Sequence, residues 1–169
     1  LPVRVLDDEG RSDAFRITKA IHFAVTQGAD VINMSFGTTQ DVGSIGRQAE
    51  WARDQGLAVV AGAGNESRDF PAYHPAIDRT TIMVTALDSL DLKADFADWN
   101  SEVLVSAPGT GVRSALPGNE WGLGSGCSFA TPFVTGEIAL ILSLEPDLSP
   151  AAVEARVADA VQSIDQIPE

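Results

Sequence analysis

The segment Gly124-Ser125-Gly126-Cys127-Ser128-Phe129-Ala130-Thr131-Pro132 sets a serine behind glycines at the entry to a long apolar run. A hydroxyl on such a tight turn is presented outward, and the positive end of the following helix dipole favours negative charge developing beside it. That suits a serine attacking a carbonyl. The plainer alternative is that Ser128 only caps the helix, since serine is among the favoured N-cap residues. A second segment, Val59-Val60-Ala61-Gly62-Ala63-Gly64-Asn65-Glu66, ends an apolar run on an asparagine. If the run is a buried strand of an α/β sheet, Asn65 stands at the strand edge where active sites collect. Its amide can donate to an oxyanion there, although Gly-Asn after a strand is also an ordinary turn.

Other reactive groups are few. Cys127 is the single cysteine, which excludes an intrachain disulfide and any zinc site of several cysteines. It is either a thiol nucleophile or, as lone cysteines more commonly are, a small buried apolar residue. A serine nucleophile needs a general base, and the chain has two histidines. His22 lies off the apolar stripe of its helix and reads as a surface residue, while His74 sits in the loop Phe70-Pro71-Ala72-Tyr73-His74-Pro75. Without a base, Ser128 keeps its proton at neutral pH and attacks poorly. The acidic residues lack the alternating Asp/Asn spacing of a calcium loop, so no metal site is predicted.

The elements that must position these residues follow from apolar periodicity. Leu1 to Leu6 predicts a short strand, and Ile17, Ala20, Ile21, Ala24 and Val25 predict a helix from Asp13 with Gly28 as its C-cap glycine. Val31 to Ser35 predicts a buried strand. The pattern then repeats: Ile45, Ala49 and Ala52 mark a helix ending near Gly56, and Leu57 to Ala63 is apolar without alternation. Runs apolar on both faces belong to a parallel sheet covered by helices on each side, so the fold class is α/β. Thr80 to Ala86 and Val103 to Ala107 predict further strands. Val112 to Leu116 with Pro117-Gly118 predicts one arm of a hairpin whose other arm begins near Trp121. Phe129 to Leu144 is apolar around nearly its whole circumference, with Ala130, Gly136 and Ala139 permitting close neighbours, which predicts a helix buried in the middle of a protein. Ser149-Pro150 opens a last helix with the stripe Val153, Val157, Ala160 and Val161, and the tail through Glu169 is expected to fray.

At 169 residues and 44% hydrophobic content the chain suits one folded domain, taken as 1–169. Eleven basic against 24 acidic residues give a net charge of -13, which argues against nucleic acid as a partner and disfavours an anionic membrane surface. The acidic residues are spread without a long run and read as a solvated surface. No cationic segment followed by an apolar run opens the chain, and no uninterrupted apolar stretch is read as long enough to cross a bilayer. Leu1 begins an apolar segment at once, which is read as a cut inside a longer protein.

Taken together, the motifs resemble a known family. Gly126-Cys127-Ser128-Phe129-Ala130-Thr131-Pro132 is similar to the Gly-Thr-Ser-x-Ala-[Ser/Thr]-Pro signature of the subtilisin-like proteases, and Ala63-Gly64-Asn65-Glu66 to their oxyanion-hole motif. Asp30-Val31-Ile32-Asn33-Met34-Ser35-Phe36-Gly37 resembles the family strand that pairs with substrate backbone, and Ser106-Ala107-Pro108-Gly109 is a fourth match. The resemblance implies that Ser128 is the nucleophile and that Asn65 and the Ser128 N–H bind the oxyanion. Ser35, Phe36 and Gly37 would form one wall of a cleft for a polypeptide substrate, with Gly62, Ala63 and Gly64 lining the side-chain pocket. Small residues there would let an extended peptide add itself as a strand.

Departures from the family pattern carry implications too. Cys127 stands where threonine is usual, and Phe133 where histidine is frequent. In the family the order is aspartate, histidine, serine, and the Asp-[Ser/Thr]-Gly and His-Gly-[Thr/Ser]-His segments precede the strand that Leu1 to Leu6 resembles; neither occurs here. The chain is therefore expected to be the C-terminal part of a catalytic domain, inactive alone, with a non-catalytic peptide-binding or scaffold module as the alternative. The family's aspartate strand would lie between Leu1 to Leu6 and Val31 to Ser35. Its absence predicts that these two pair directly, or that another copy of the chain covers the edge. Family members are exported and often bind structural calcium. Carbonyl ligands do not show in a sequence, so calcium stays open at this point, and no other cofactor is implied.

Overall fold

The computed structural model describes residues 1–69, 74–76 and 80–162. The tail expected to fray, 163–169, and the residues 70–73 before His74 lie outside them.

Four strands form a parallel sheet in the order β1-β2-β3-β4: β1 (Val31–Met34), β2 (Ala58–Gly62), β3 (Ile82–Leu87) and β4 (Val105–Pro108). Every residue of β2 is buried, so both faces of the sheet are covered, as its unbroken apolar sequence requires. Helix α1 (Ala14–Thr26) packs against α2 (Gly43–Asp54), and α3 (Cys127–Leu144) runs across all four strands and meets α4 (Pro150–Ala160). Local chemistry sets the helix ends. Asp13 accepts from the Arg16 N–H at 2.8 Å to start α1, Gly28 takes a left-handed φ of 73° just past its end, and Ser149 caps α4 ahead of Pro150. The expected hairpin is present as β5 (Val112–Leu116) paired antiparallel with β6 (Glu120–Gly124).

Three expectations are corrected. Leu1 to Leu6 is not a strand and does not pair with β1. Its end is fastened to the following turn instead: the Ser12 hydroxyl donates to the Val5 carbonyl at 2.6 Å, Arg4 Nε donates to the Leu6 carbonyl at 3.2 Å, and the Asp7 N–H donates to Arg11 at 2.9 Å. Those bonds occupy carbonyls that a ladder would need. Between this segment and β1 a groove of about 540 Å³ stays open, lined by Leu1, Val3, Val5, Ile17, Val31 and Met34 among others.

The second correction concerns α3, which is buried on one side only. Cys127, Ala130, Thr131, Val134 and Ile138 face the sheet, while Phe133, Leu140 and Leu144 are 50%, 70% and 84% exposed. Gly136 has open space where a side chain would stand, so its smallness serves no neighbour among the described residues. The sheet covers one face of α3 and α4 meets it, which leaves Phe133, Leu140 and Leu144 uncovered among the described residues. Third, by length and mean hydropathy of 1.5 this 18-residue helix is apolar enough to cross a membrane. One face of it packs along the four strands.

Candidate active site

Because the sheet is parallel, the loops after β1 and β2 emerge at one edge, and the start of α3 meets them there. Gly126 forms the turn into α3 with φ of 148°, its N–H donating to the Gly109 carbonyl at 2.8 Å. Gly109 has no room for a side chain, since a Cβ would stand 2.5 Å from that of Ala86. Ser128 therefore lies inside the first turn of α3, and the residue in the capping position is Gly126. That removes the reading of Ser128 as an N-cap.

The Ser128 hydroxyl donates to the Ser35 carbonyl at 3.1 Å, and the Ser35 hydroxyl donates back to the Ser128 carbonyl at 2.9 Å. Ser35 is held in turn by the Asn33 amide at 2.9 Å, and Asn33 accepts from the Thr135 hydroxyl at 2.9 Å. Asn33 was not singled out in the sequence. The available signal was its spacing, since residues i and i+2 of a strand share a face and Asn33 precedes Ser35 by two.

Asn65 is exposed just beyond β2, and its Oδ1 accepts from the Cys127 N–H at 2.7 Å. That bond fixes which way the carboxamide lies and leaves the Nδ2 hydrogens for another acceptor. In the first turn of α3, the Phe129 and Ala130 N–H groups donate to the Gly126 carbonyl. Among the described residues the Ser128 N–H has no acceptor, one of the orphan donors that every helix start carries.

Asn65, Ser128, Ser35, Phe36, Gly62, Gly64 and Cys127 line one small cavity of about 70 Å³. Two residues predicted to join them do not. Ala63 is wholly buried in the core and does not line the cavity. Gly37 lines a neighbouring groove with Thr38 and His74. Gly62 does line the cavity, yet what crowds a side chain there is the helix: a Cβ would stand 3.0 Å from the Thr131 hydroxyl and 3.4 Å from Cys127.

Cys127 is 1% exposed, donates its thiol to the Gly64 carbonyl at 3.0 Å, and burial pushes its pKa up. A buried thiol held protonated is a poor nucleophile, so it serves as packing, and its main-chain N–H is what orients Asn65. Neither histidine lines the cavity. The exposed ring of His22 stacks on Trp51 with centroids 4.9 Å apart, and His74 exchanges main-chain hydrogen bonds with Thr38 at 2.8 and 3.0 Å. Among the described residues no group of three or more His, Cys, Asp or Glu side chains gathers to hold a metal ion.

Comparison with known proteins bears on this arrangement. The sequence profile of the Subtilase family matches residues 1–166. Subtilisin of Bacillus pumilus is 37% identical over 162 residues, covering 92% of this chain and 58% of the relative. Thermitase of Thermoactinomyces vulgaris is 37% identical over 143 residues, covering 85% of this chain and 51% of the relative. A crystal structure of a cold-adapted subtilisin-like serine proteinase matches with a TM-score of 0.90 at 28% identity, covering 96% of this chain and 60% of that one. The chain thus spans about half to three fifths of the length of these relatives.

Proposed function

The chain belongs to the subtilase family, whose members resembling it are serine proteases, and we propose that it carries the nucleophile and oxyanion hole of an endopeptidase. Ser128 Oγ attacks the scissile carbonyl carbon and gives up its proton to a general base. The carbonyl oxygen becomes an oxyanion held by Asn65 Nδ2–H and the Ser128 N–H. Collapse expels the amine, which takes the proton, and water then releases the acyl group from Ser128. The observation that carries this reading is the bond from the Cys127 N–H to Asn65 Oδ1 at 2.7 Å. It pre-sets the asparagine as a donor in the cavity that Ser128 also lines.

The substrate is a polypeptide in extended form, lying beside Ser35 and Phe36 with Gly62 and Gly64 opposite. The base, a histidine oriented by an aspartate by family resemblance, would come from polypeptide outside these residues. That portion is the chain's first partner in this reading. Export from the cell is proposed on the same kinship. The rival reading, a peptide-binding module without catalysis, is favoured by the absence of a histidine from the Ser128 cavity. An upstream coding sequence lacking the aspartate and histidine motifs would establish it.

In the enzyme as the cell makes it, Asn65→Ala should lower kcat on the order of 10² to 10³-fold with KM little changed. That magnitude comes from removal of the corresponding donor in subtilisin, a relative, and not from this geometry. Steady-state kinetics on a chromogenic peptide decide it, and an unchanged kcat would refute the oxyanion role.

A further inference from the structure

We infer that Asp98 is a positioning residue for the oxyanion hole, acting through the loop that carries Asn65; the inference rests on the proposed role of Asn65. The stretch from Asn65 to Arg68 is exposed and outside any strand or helix, so it has no ladder to hold it. The side chain that gathers its main chain is one buried carboxylate. Asp98, 1% exposed, accepts at Oδ1 from the Glu66 N–H at 3.0 Å and from the Arg68 N–H at 2.8 Å. Between them, the Ser67 N–H donates to the Phe96 carbonyl at 2.9 Å. Successive main-chain donors thus converge on the segment 96–98, with Ser67 at φ of 56° in the left-handed region, an arrangement that suits an anion.

Asp98 is itself fixed from both sides. The Thr85 hydroxyl of β3 donates to its carbonyl at 2.6 Å, and its own N–H donates to the Gly64 carbonyl at 3.1 Å. Gly64, the residue before Asn65, also accepts the Cys127 thiol at 3.0 Å. The Arg68 guanidinium pairs with Glu66, so Asp98 holds the backbone of Arg68 and not its charge. Burying a carboxylate is costly unless its lone pairs are used. Here they accept the Glu66 and Arg68 N–H groups on either side of Ser67, and the Trp99 N–H donates to the Arg68 carbonyl at 2.9 Å to close the loop onto the same segment. Hydrogen bonds to an ionised acceptor are about twice as strong as neutral ones. The carboxylate therefore keeps Asn65 at a fixed height above β2, within reach of the carbonyl oxygen that Ser128 would attack.

The test is a double-mutant cycle in the enzyme as the cell makes it. A displacement of about 1 Å at a reacting centre costs on the order of 10²-fold. Asp98→Ala is accordingly expected to lower kcat by that order with little change in KM. In the Asn65→Ala background the same substitution should cost nothing further. Asp98→Asn, which keeps an acceptor oxygen, should restore most of kcat.

Equal losses from Asp98→Ala in both backgrounds would overturn the positioning role and leave the oxyanion reading standing. An Asn65→Ala variant with unchanged kcat would remove the oxyanion reading itself. If Asp98→Ala does not fold, the decisive variant is Asp98→Ser in the same enzyme and in its Asn65→Ala form. The shorter side chain should lower kcat in the first and cost nothing further in the second, and equal losses in both would overturn the proposal.

Discussion

Ser128→Ala in the enzyme as the cell makes it should lower kcat on the order of 10⁶-fold, the largest effect of any single substitution in the chain. The scale is that of nucleophile removal in subtilisin, a relative, and is not computed from this geometry. The reason is chemical: alanine removes the oxygen that forms the acyl bond, while the cavity lined by Asn65, Gly62 and Gly64 persists. Oxyanion and binding contributions alone leave a residual rate on the order of 10³ to 10⁴ over water. The fold should survive, since the Ser128 hydroxyl makes one bond, to the Ser35 carbonyl, on a half-buried position. Peptide hydrolysis by protein of unchanged melting temperature measures the effect. A variant within tenfold of wild type would remove Ser128 from the mechanism.

The chain of residues 1–169 by itself should do no better than that same residual, on the order of 10³ to 10⁴ over water. Among the described residues its hydroxyl proton has no nearby base to leave to. His22 is stacked on Trp51, and His74 is tied to Thr38 away from the Ser128 cavity. Turnover of a peptide or activated ester comparable with a complete protease, lost on Ser128→Ala, would contradict this. If that turnover also vanished on His22→Ala or His74→Ala, the base would have been misassigned.

How far the sequence announced the molecule differs from element to element. The helices α2 and α4 and the β5–β6 hairpin were legible because local chemistry decides them: Ile45, Ala49 and Ala52 are the buried stripe of α2, and Pro117-Gly118 sits at the hairpin turn. Apolar periodicity tells which residues resist water but not what covers them. Hence α3 looked enclosed, whereas Phe133, Leu140 and Leu144 are exposed, and Leu1 to Leu6 looked like a strand without a neighbour to make it one.

At the site, Ser128 and Asn65 were singled out from the turns that present them together with the family resemblance. Gly62 was singled out for a substrate reason, while its first constraint is the approach of Thr131 and Cys127. Asp98 gave no sign, because its meaning lies in bonds to residues 30 and 32 positions away. Only the folded chain brings those together.

The most direct test of the central claim is covalent capture of the nucleophile in the enzyme as the cell makes it. A peptidyl fluorophosphonate loses fluoride to the attacking oxygen, which loses its proton, leaving a stable phosphonyl ester whose site is read by mass spectrometry of the digested protein. The account predicts one adduct, on Ser128, formed more slowly after Asn65→Ala and absent after Ser128→Ala. An adduct on Cys127, or on any residue outside the cavity that Ser128 shares with Asn65, would contradict it.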